Sequence, residues 1–320
     1  MTHLAQEVDA LFERQLRDWP MVRNNFAALE QVQLRHIALE HAAVVLQCNS
    51  VRRRSSAART DAASLAARPC FLCSHNQPKE QEMVRWGDYK IQVNPYPIFP
   101  RHLTISALEH TPQQLWPLAR IDHMLQLAAE LPHWVVFFNG ARCGASAPDH
   151  MHFQAGCKGF LPLCDEITEP DLWPAEAQME VCDEGFIGST RRLGRPVFLI
   201  RAAGLPLASL YFSRLLLAMR MSQPDSQLEP MVNVLAWRDG DYLNVAVFPR
   251  RKHRPACFGP GADQLLISPA SVDMGGVWAV PEPANFERLN ATLVQQIYDE
   301  LCLDDTGIAR IMDNFIKTSN

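Results

Sequence analysis

Two histidines and a glutamine, His150, His152 and Gln154, have the residue types and the spacing that phosphoryl chemistry requires. Alternate residues of an extended strand point to one face of a sheet, so these three side chains would project together. Met151 and Phe153 would then point into the packing behind them. An imidazole can attack phosphorus and form a covalent intermediate. The same two histidines could instead bind a metal or make ordinary hydrogen bonds within a sheet.

The segment before the histidines is typical of a strand that leads into a flexible loop. Residues 135–138 are an apolar run of β-forming residues, and small residues follow them. A loop rich in glycine and serine can bring backbone N–H groups close to an anion. We therefore expect the loop to contact a phosphate-bearing substrate through Asn139, Gly144, Ala145 and Ser146.

Cys70 and Cys73 form a C-x-x-C pair, which is the second group of residues that could bind a metal or react. Two thiolates at this spacing can hold one tetrahedral zinc ion if two more nitrogen or sulfur ligands come from elsewhere. A thioredoxin-like redox role would need a βαβ context, which the surrounding sequence does not indicate.

The elements that must position these groups are strands and one helix. Residues 89–93 and 103–105 have the pattern of two strands. Thr111 and Pro112 suit the N-cap and first position of a helix, and apolar spacing extends that helix to about Glu130. The predicted order around the histidines is strand, strand, helix, strand, loop, strand.

The flanking regions predict a helical arm and a second, related unit. Residues 3–48 have roughly helical apolar spacing with a break at Pro20. Residues 156–193 have few periodic features and predict an excursion over the core. Residues 231–237 and 242–248 surround an Asp-Gly turn, which is typical of a hairpin. With the strand and helix before it, this hairpin repeats the earlier plan without the histidines.

Composition narrows the class of protein. The chain has 320 residues, of which 48% are hydrophobic and 20% charged, as in ordinary globular proteins. A net charge of -5 argues against a surface that coats nucleic acid. No apolar stretch is long enough for a membrane span, and the N-terminus lacks the pattern of a secretory signal. Nine irregularly spaced cysteines suit reduced thiols, so we expect a cytoplasmic location.

The string Gly-Ala-Ser-Ala-Pro-Asp-His-Met-His-Phe-Gln at residues 144–154 resembles the histidine-triad superfamily, in particular its galactose-1-phosphate uridylyltransferase branch. That branch carries Gly-x-Ser-x-Pro-His-x-His-x-Gln, and asymmetric dinucleoside polyphosphate phosphorylases carry a very similar string. This chain has one additional residue, Asp149, after the proline. The resemblance implies an α+β fold, in which two degenerate half-domains form one continuous antiparallel sheet with packed helices.

Three parts follow from that plan. Residues 1–68 would form the helical arm and a basic linker, residues 69–193 the catalytic half, and residues 194–320 a second half that lacks the active histidines. The chain would be a monomer or a homodimer.

The resemblance implies nucleotidyl transfer through a nucleotidyl-histidine formed on His152. Ser146 and Gln154 would stabilise charge on the phosphoryl oxygens, and His150 would orient His152. The substrate would be a nucleoside diphosphate sugar or a dinucleoside polyphosphate, with phosphate or a sugar phosphate as acceptor and no organic cofactor. The alternatives are a nucleotide hydrolase and a nucleotide-binding protein without turnover.

Further residues of the substrate pocket are implied by analogous positions in the superfamily. Around the two early strands these are Asn94, Arg101 and His102. GDP-hexose phosphorylases carry a Gln-x-Asn-x-x-Arg string, to which Gln47, Asn49 and Arg52 are similar. The basic run that begins at Arg250 could contact a phosphate chain or be solvated. The resemblance also implies that His110 and His150 complete a zinc site with Cys70 and Cys73.

Overall fold

The structure is a computed structural model that describes residues 2–53, 57, 60–225, 228–261 and 263–318. Several residues of the predicted basic linker, Arg54 among them, lie outside the described residues. Within the part of the chain that is described, no helix is both long and apolar enough to cross a bilayer.

Two helices and a hairpin form the N-terminal part. These elements are α1 (His3–Asp18), α2 (Pro20–Leu29), β1 (Gln33–Ala38) and β2 (Ala43–Cys48). The break at Pro20 is correct, but the helical prediction for residues 3–48 is wrong beyond Leu29. Val44 and Leu46 are fully buried on β2, because this strand pairs with neighbours on both sides. Such tertiary pairing overrides a local spacing that also suits a helix.

The centre of the molecule is a ten-stranded sheet whose neighbouring strands are antiparallel. Its strands are β3 (Val84–Trp86), β4 (Tyr89–Val93), β5 (His102–Ala107), β6 (Trp134–Asn139), β7 (His152–Cys157), β8 (Gln178–Cys182), β9 (Gly185–Thr190), β10 (Val197–Ala203), β11 (Val232–Asp239) and β12 (Tyr242–Pro249). The helices among them are α3 (Ala62–Ala66), α4 (Ala119–Glu130), α5 (Leu163–Glu166) and α6 (Leu205–Ser222). The C-terminal part adds α7 (Ser271–Met274), β13 (Val277–Val280), α8 (Pro283–Arg288), α9 (Ala291–Leu301) and α10 (Asp305–Lys317).

The order of strands shows that the sheet consists of two repeats. It is β3-β4-β5-β7-β6 for the earlier strands and continues as β11-β12-β10-β9-β8 for the later ones. Each repeat therefore places its fifth strand between its third and fourth, and each has a long helix (α4 or α6) between those two strands in the chain. The fourth strands, β6 and β11, pair at the centre. The prediction of two half-domains that form one continuous antiparallel sheet is confirmed, and β12, the equivalent of β7, contains no histidine.

Alternation along the strands separates two cores, one on each face of the sheet. On β6, Val136 and Phe138 pack with α1, α4, α6 and α10. Phe137 points the other way, towards β2, β13 and α9. The small sheet β1-β2-β13 belongs to this second face. Met151 and Phe153 are buried in the helical core, as their alternation with the histidines predicted.

The helix predicted from Thr111 begins later, at Ala119. Pro117 disfavours a helical conformation at the residue before it, and the backbone N–H groups of Leu115 and Trp116 donate to the Glu229 carboxylate instead. The intervening segment is therefore a loop.

The excursion predicted over residues 156–193 is also partly wrong, because β8 and β9 lie within it and form one edge of the sheet. Most residues of β8 are half-exposed, which weakens the alternation by which a strand is recognised. The domain boundaries at residues 68/69 and 193/194 stay predictions, although the strand order groups β8 and β9 with the later strands.

Candidate active site

A cavity of about 670 Å³ lies on the face of the sheet to which β7 directs His152 and Gln154. This size is within the range of small-molecule pockets. The loop between β6 and β7 contributes Gly144, Ala145 and Ser146 to its wall. Other parts of the wall come from the segment before β3, the segment from β4 to β5, which includes Asn94, and the segment between β12 and β13.

The ring of His152 is held in one tautomer by the backbone of the same motif. Its Nδ1 atom lies 2.8 Å from the carbonyl oxygen of His150. A carbonyl oxygen only accepts hydrogen bonds, so Nδ1 carries the hydrogen and Nε2 keeps its lone pair. Because the ring lines the cavity, Nε2 is the atom available to an electrophile there.

Burial also keeps this imidazole neutral. It lowers the pKa of His152 to about 4, since the charged form would lose its hydration. Around pH 7 the ring is therefore unprotonated at Nε2, which is the state that a nucleophile needs.

The backbone of His152 is fixed by a buried glutamine outside the motif. The N–H of His152 donates to Oε1 of Gln113 at 2.7 Å. The Nε2 atom of Gln113 donates to the carbonyl oxygens of His152, at 3.0 Å, and Asn139, at 2.9 Å. The pairing of β6 with β7 reaches only Phe137 and Gln154, so the Gln113 amide bridges the two strands where they separate.

Gln154 is oriented by His102. The N–H of Ile98 donates to Nδ1 of His102 at 3.1 Å, which leaves the hydrogen of the neutral ring on Nε2. That Nε2 atom lies 3.2 Å from Oε1 of Gln154, and Asn94 donates to the same oxygen at 3.4 Å. With its oxygen occupied, Gln154 offers its NH₂ group to the cavity as a donor. His102 itself is fully buried and does not line the cavity.

The loop after β6 approaches the second repeat closely. Gly144 has a φ of +110°, and a Cβ atom at this position would lie 2.6 Å from Cβ of Ala270. Oδ1 of Asn139 accepts from the backbone N–H of Ser271 at 2.8 Å and from Nδ2 of Asn233 at 3.0 Å. These contacts fix the loop against the segment between β12 and β13.

Among the described residues, three arginines, Arg52, Arg68 and Arg254, line the cavity, together with one carboxyl group, that of Asp273. Burial lowers the pKa of Arg52 to about 10, so its guanidinium remains charged around neutral pH. Burial raises the pKa of Asp273 to about 7, although Arg52 and Arg250 partly oppose this rise. The wall therefore carries net positive charge in a protein whose total charge is -5.

Several residues predicted for the substrate pocket lie elsewhere. Arg101 forms an ion pair with Asp9 at 2.6 Å, on the helical side of the sheet. Arg250 is buried and donates to Asn233 and to backbone carbonyls, so its neighbour Arg254 reaches the cavity in its place. Neither Arg101 nor Arg250 is among the described residues that line the cavity.

Gln47 and Asn49 support the cavity wall through hydrogen bonds to backbone carbonyl groups. Gln47 donates to the carbonyl oxygen of Ile98 at 3.0 Å, and Asn49 donates to that of Pro97 at 3.1 Å. They hold the turn from which Ile98 contacts His102. Arg52 does line the cavity, and it donates to the carbonyl oxygen of Tyr96 at 2.8 Å.

Cys70, Cys73, His110 and His150 form a cluster whose ligand atoms lie within 4.8 Å of one another. Nδ1 of His150 lies 3.3 Å from Sγ of Cys70 and 3.6 Å from Sγ of Cys73, and Nδ1 of His110 lies 3.3 Å from Sγ of Cys73. A tetrahedral zinc ion, with Zn–S about 2.3 Å and Zn–N about 2.0 Å, separates its sulfur and nitrogen ligands by about 3.5 Å. The donor set and its spacing therefore fit zinc.

Sequence patterns gave no signal for Gln113 or Asp273 as part of the site, whereas Arg254 belongs to the basic run that begins at Arg250. Gln113 lies within a predicted helix, and Asp273 comes from a segment without a recognisable motif. Only the contact between the two repeats brings this segment to β7.

Comparison with known families gives a match over part of the chain. A family model described as a domain of unknown function, DUF4922, matches residues 11–157. This range contains His150, His152 and Gln154. No curated protein sequence matches the chain.

Solved structures with the same fold include those of a phosphorylase. A crystal structure of yeast Ap4A phosphorylase Apa2 shares 15% identity, with a TM-score of 0.57 and coverage of 88% of this chain and 93% of that chain. Its complex with Ap4A shares 16% identity, with a TM-score of 0.56 and coverage of 88% of this chain and 96% of that chain. At this identity the likeness shows the fold alone, and it confirms the predicted α+β class with an antiparallel sheet and packed helices.

Proposed function

We propose that the protein is a nucleotidyltransferase of the phosphorylase type. The observation that carries the proposal is the neutral His152 ring, whose Nδ1–H is held by the His150 carbonyl while its Nε2 atom is available to the cavity. The fold shared with an Ap4A phosphorylase supports this choice of reaction.

The substrate is a nucleotide that carries two or more phosphate groups. In the described part of the wall, three guanidinium groups against one carboxyl group favour a ligand with several negative charges. A volume of about 670 Å³ accommodates more than a mononucleotide. Both a nucleoside diphosphate sugar and a dinucleoside polyphosphate meet these conditions.

In the first step, Nε2 of His152 attacks the α-phosphorus. The N–P bond forms as the bond from phosphorus to the bridging oxygen breaks, and the remaining phosphate-bearing part leaves with that electron pair. The Nδ1–H bond to the His150 carbonyl stabilises positive charge that develops on the ring. In the second step, an oxygen of the acceptor phosphate attacks the same phosphorus and Nε2 departs, which gives a nucleoside diphosphate.

Donors around the phosphorus lower the barrier of both steps. The NH₂ group of Gln154, the Ser146 hydroxyl and the N–H groups of the loop are the candidates on the cavity wall. Removal of one donor aimed at developing charge typically lowers the rate by about 100- to 1,000-fold.

We also propose that Cys70, Cys73, His110 and His150 hold a structural zinc ion. When bound, the ion ties the segment before β3 to the start of the catalytic strand. The ring of His150 belongs to this cluster, while its carbonyl oxygen accepts the hydrogen bond from Nδ1–H of His152.

The test is to trap the covalent intermediate. The purified chain is incubated with α-³²P-labelled dinucleoside polyphosphates and nucleoside diphosphate sugars, without an acceptor, and is then denatured at alkaline pH, where a phosphoramidate survives. We expect an acid-labile label on His152. In a native sample of the labelled protein, added phosphate should release this label as a nucleoside diphosphate. His152→Ala should take no label, whereas the exposed control His36→Ala should be labelled normally.

The outcomes separate the alternatives. Release of the label as a nucleoside monophosphate, at a rate that phosphate does not change, would make the protein a hydrolase. Nucleotide binding with no label and no product in either variant would contradict catalysis altogether.

A further inference from the structure

The additional residue of the motif, Asp149, lies between the metal-binding cluster and the catalytic loop. Its Oδ2 atom lies 3.7 Å from Nε2 of His110. Its Oδ1 atom accepts from a terminal nitrogen of Arg68 at 3.2 Å. The same nitrogen of Arg68 donates to the carbonyl oxygen of Ser146, also at 3.2 Å. One carboxylate thus faces a candidate metal ligand on one side and, through Arg68, the loop that lines the cavity on the other.

The rings of the two histidines in the cluster are oriented in the same way. Nδ1 of His150 faces the thiols, and its Nε2 lies 2.9 Å from the carbonyl oxygen of Ala107. Nδ1 of His110 also faces a thiol, and its Nε2 points towards Asp149. Histidines that bind metals commonly donate their second N–H to a carbonyl or carboxylate, which fixes the tautomer and raises the basicity of the ligand atom.

His110 depends on this partner more than His150 does. The side chain of His110 is 46% exposed, whereas His150 is fully buried and follows directly on Asp149. An exposed imidazole on a loop has more conformations to lose when it binds a metal. A carboxylate behind it limits those conformations.

We propose that Asp149 is a positioning residue that orients His110 for zinc and, through Arg68, connects the metal centre to the Ser146 loop. The proposal rests on the zinc site proposed above. Asp149 does not contact the reacting atoms. The residue by which this chain departs from the histidine-triad pattern would therefore tighten the metal site without a change in the spacing of the catalytic strand.

The test measures zinc affinity directly, by competition of the full-length protein with a chromogenic chelator. Asp149→Asn keeps the shape of the side chain and removes its charge, and we expect the dissociation constant for zinc to rise by about 10- to 100-fold. Glu109→Gln is the matched control, because it removes one exposed carboxylate next to His110 and should leave the affinity within about twofold. Asp149→Glu, which keeps the charge, should recover part of the loss.

Thermal unfolding separates this role from a simple structural one. Asparagine keeps a side-chain oxygen that can accept from Arg68, so Asp149→Asn in saturating zinc should unfold within about 3 °C of wild type. A larger decrease in saturating zinc, together with unchanged zinc affinity, would overturn the proposal.

The failures of the two proposals are distinguishable. A wild-type chain that binds no zinc would overturn the metal centre and the role of Asp149, while leaving the labelling of His152 untouched. An unlabelled His152 together with a weakened zinc site in Asp149→Asn would reject the nucleotidyl transfer and support Asp149.

Discussion

The Nδ1 atom of His152 lies 2.8 Å from the carbonyl oxygen of His150, so the first residue of the H-x-H pair orients the second through its backbone. The ring of His150 is thereby left for the Cys70 and Cys73 thiols. The i, i+2 spacing combines two roles, because the His150 carbonyl lies within reach of the His152 ring while the His150 ring faces the thiols. The candidate nucleophile and the candidate metal centre are consequently parts of one strand end.

His102 should affect catalysis without contact with substrate. Its Nε2–H donates to the oxygen of Gln154. His102→Phe should therefore allow the Gln154 amide to rotate and present its oxygen, instead of its NH₂ group, to the cavity. We expect the single-turnover rate of label transfer to His152 to decrease, but by less than the roughly 100- to 1,000-fold expected for Gln154→Leu. The measurement is rapid-quench kinetics with labelled substrate.

A second variant, His102→Gln, distinguishes the loss of this hydrogen bond from a folding defect. The amide of His102→Gln can still donate to Gln154, and we expect it to recover part of the rate. If His102→Phe is properly folded and transfers label as fast as wild type, the orienting role of His102 is wrong.

The motif made β7 predictable, because its information is local. The period-two alternation that buries Met151 and Phe153 also directs His152 and Gln154 to the other face. The hairpin of β11 and β12 was predictable for the same reason, since Asp239 and Gly240 mark its turn.

The parts that the sequence did not reveal depend on distant contacts. β1 and β2 look helical because their burial comes from pairing with each other and with β13, more than 200 residues away. Arg250 and Arg254 are equivalent as members of a basic run, and only the packing between the repeats buries the first and brings the second to the cavity. Local patterns carry no information on such choices.

Gln113 and Gln114 offer a matched pair of substitutions. Gln113→Leu removes three buried hydrogen bonds that hold His152 and Asn139, and should lower the free energy of unfolding by about 1–3 kcal/mol. It should also slow label transfer, since the N–H and C=O groups of His152 lose their partner. Gln114 is half-buried, and Gln114→Leu should change neither quantity. Chemical denaturation and single-turnover kinetics give the two values, and equal effects of both substitutions would contradict the prediction.

Gly144 should be irreplaceable for two separable reasons. Alanine at a positive φ costs about 1–2 kcal/mol wherever it occurs. At Gly144 the new Cβ atom would also lie 2.6 Å from Cβ of Ala270, which must displace the loop or the second repeat. Gly144→Ala should therefore lower both stability and activity.

The control for Gly144 is Gly159, which has a φ of +86° and open space around the position of a Cβ atom. Gly159→Ala should show the backbone cost alone, with activity like that of wild type. A Gly144→Ala variant as stable and as active as Gly159→Ala would show that the close approach to Ala270 has no consequence.

Asp273 should make substrate binding weaken as the pH rises through 7. Burial raises the pKa of this carboxyl group to about 7, so it is neutral below that pH and negative above it. Ionisation places a negative charge on the wall that we propose to bind phosphates, and a repulsion of about 1 kcal/mol would weaken binding by about fivefold. A dinucleoside polyphosphate is the appropriate ligand, because it has no terminal phosphate that titrates in this range. Its dissociation constant, measured from pH 5.5 to 8.5 by calorimetry on the His152→Ala variant, should rise across that range.

Asp273→Asn should remove this pH dependence. Glu229→Gln is the matched control, because burial also raises the pKa of Glu229 to about 7, but this residue is not among the described residues that line the cavity. The His253 ring lies on the wall but has a pKa lowered to about 4 by burial, so it stays neutral over the whole range. A pH dependence that persists in Asp273→Asn and disappears in Glu229→Gln would assign the titration to Glu229 and contradict the placement of phosphates beside Asp273.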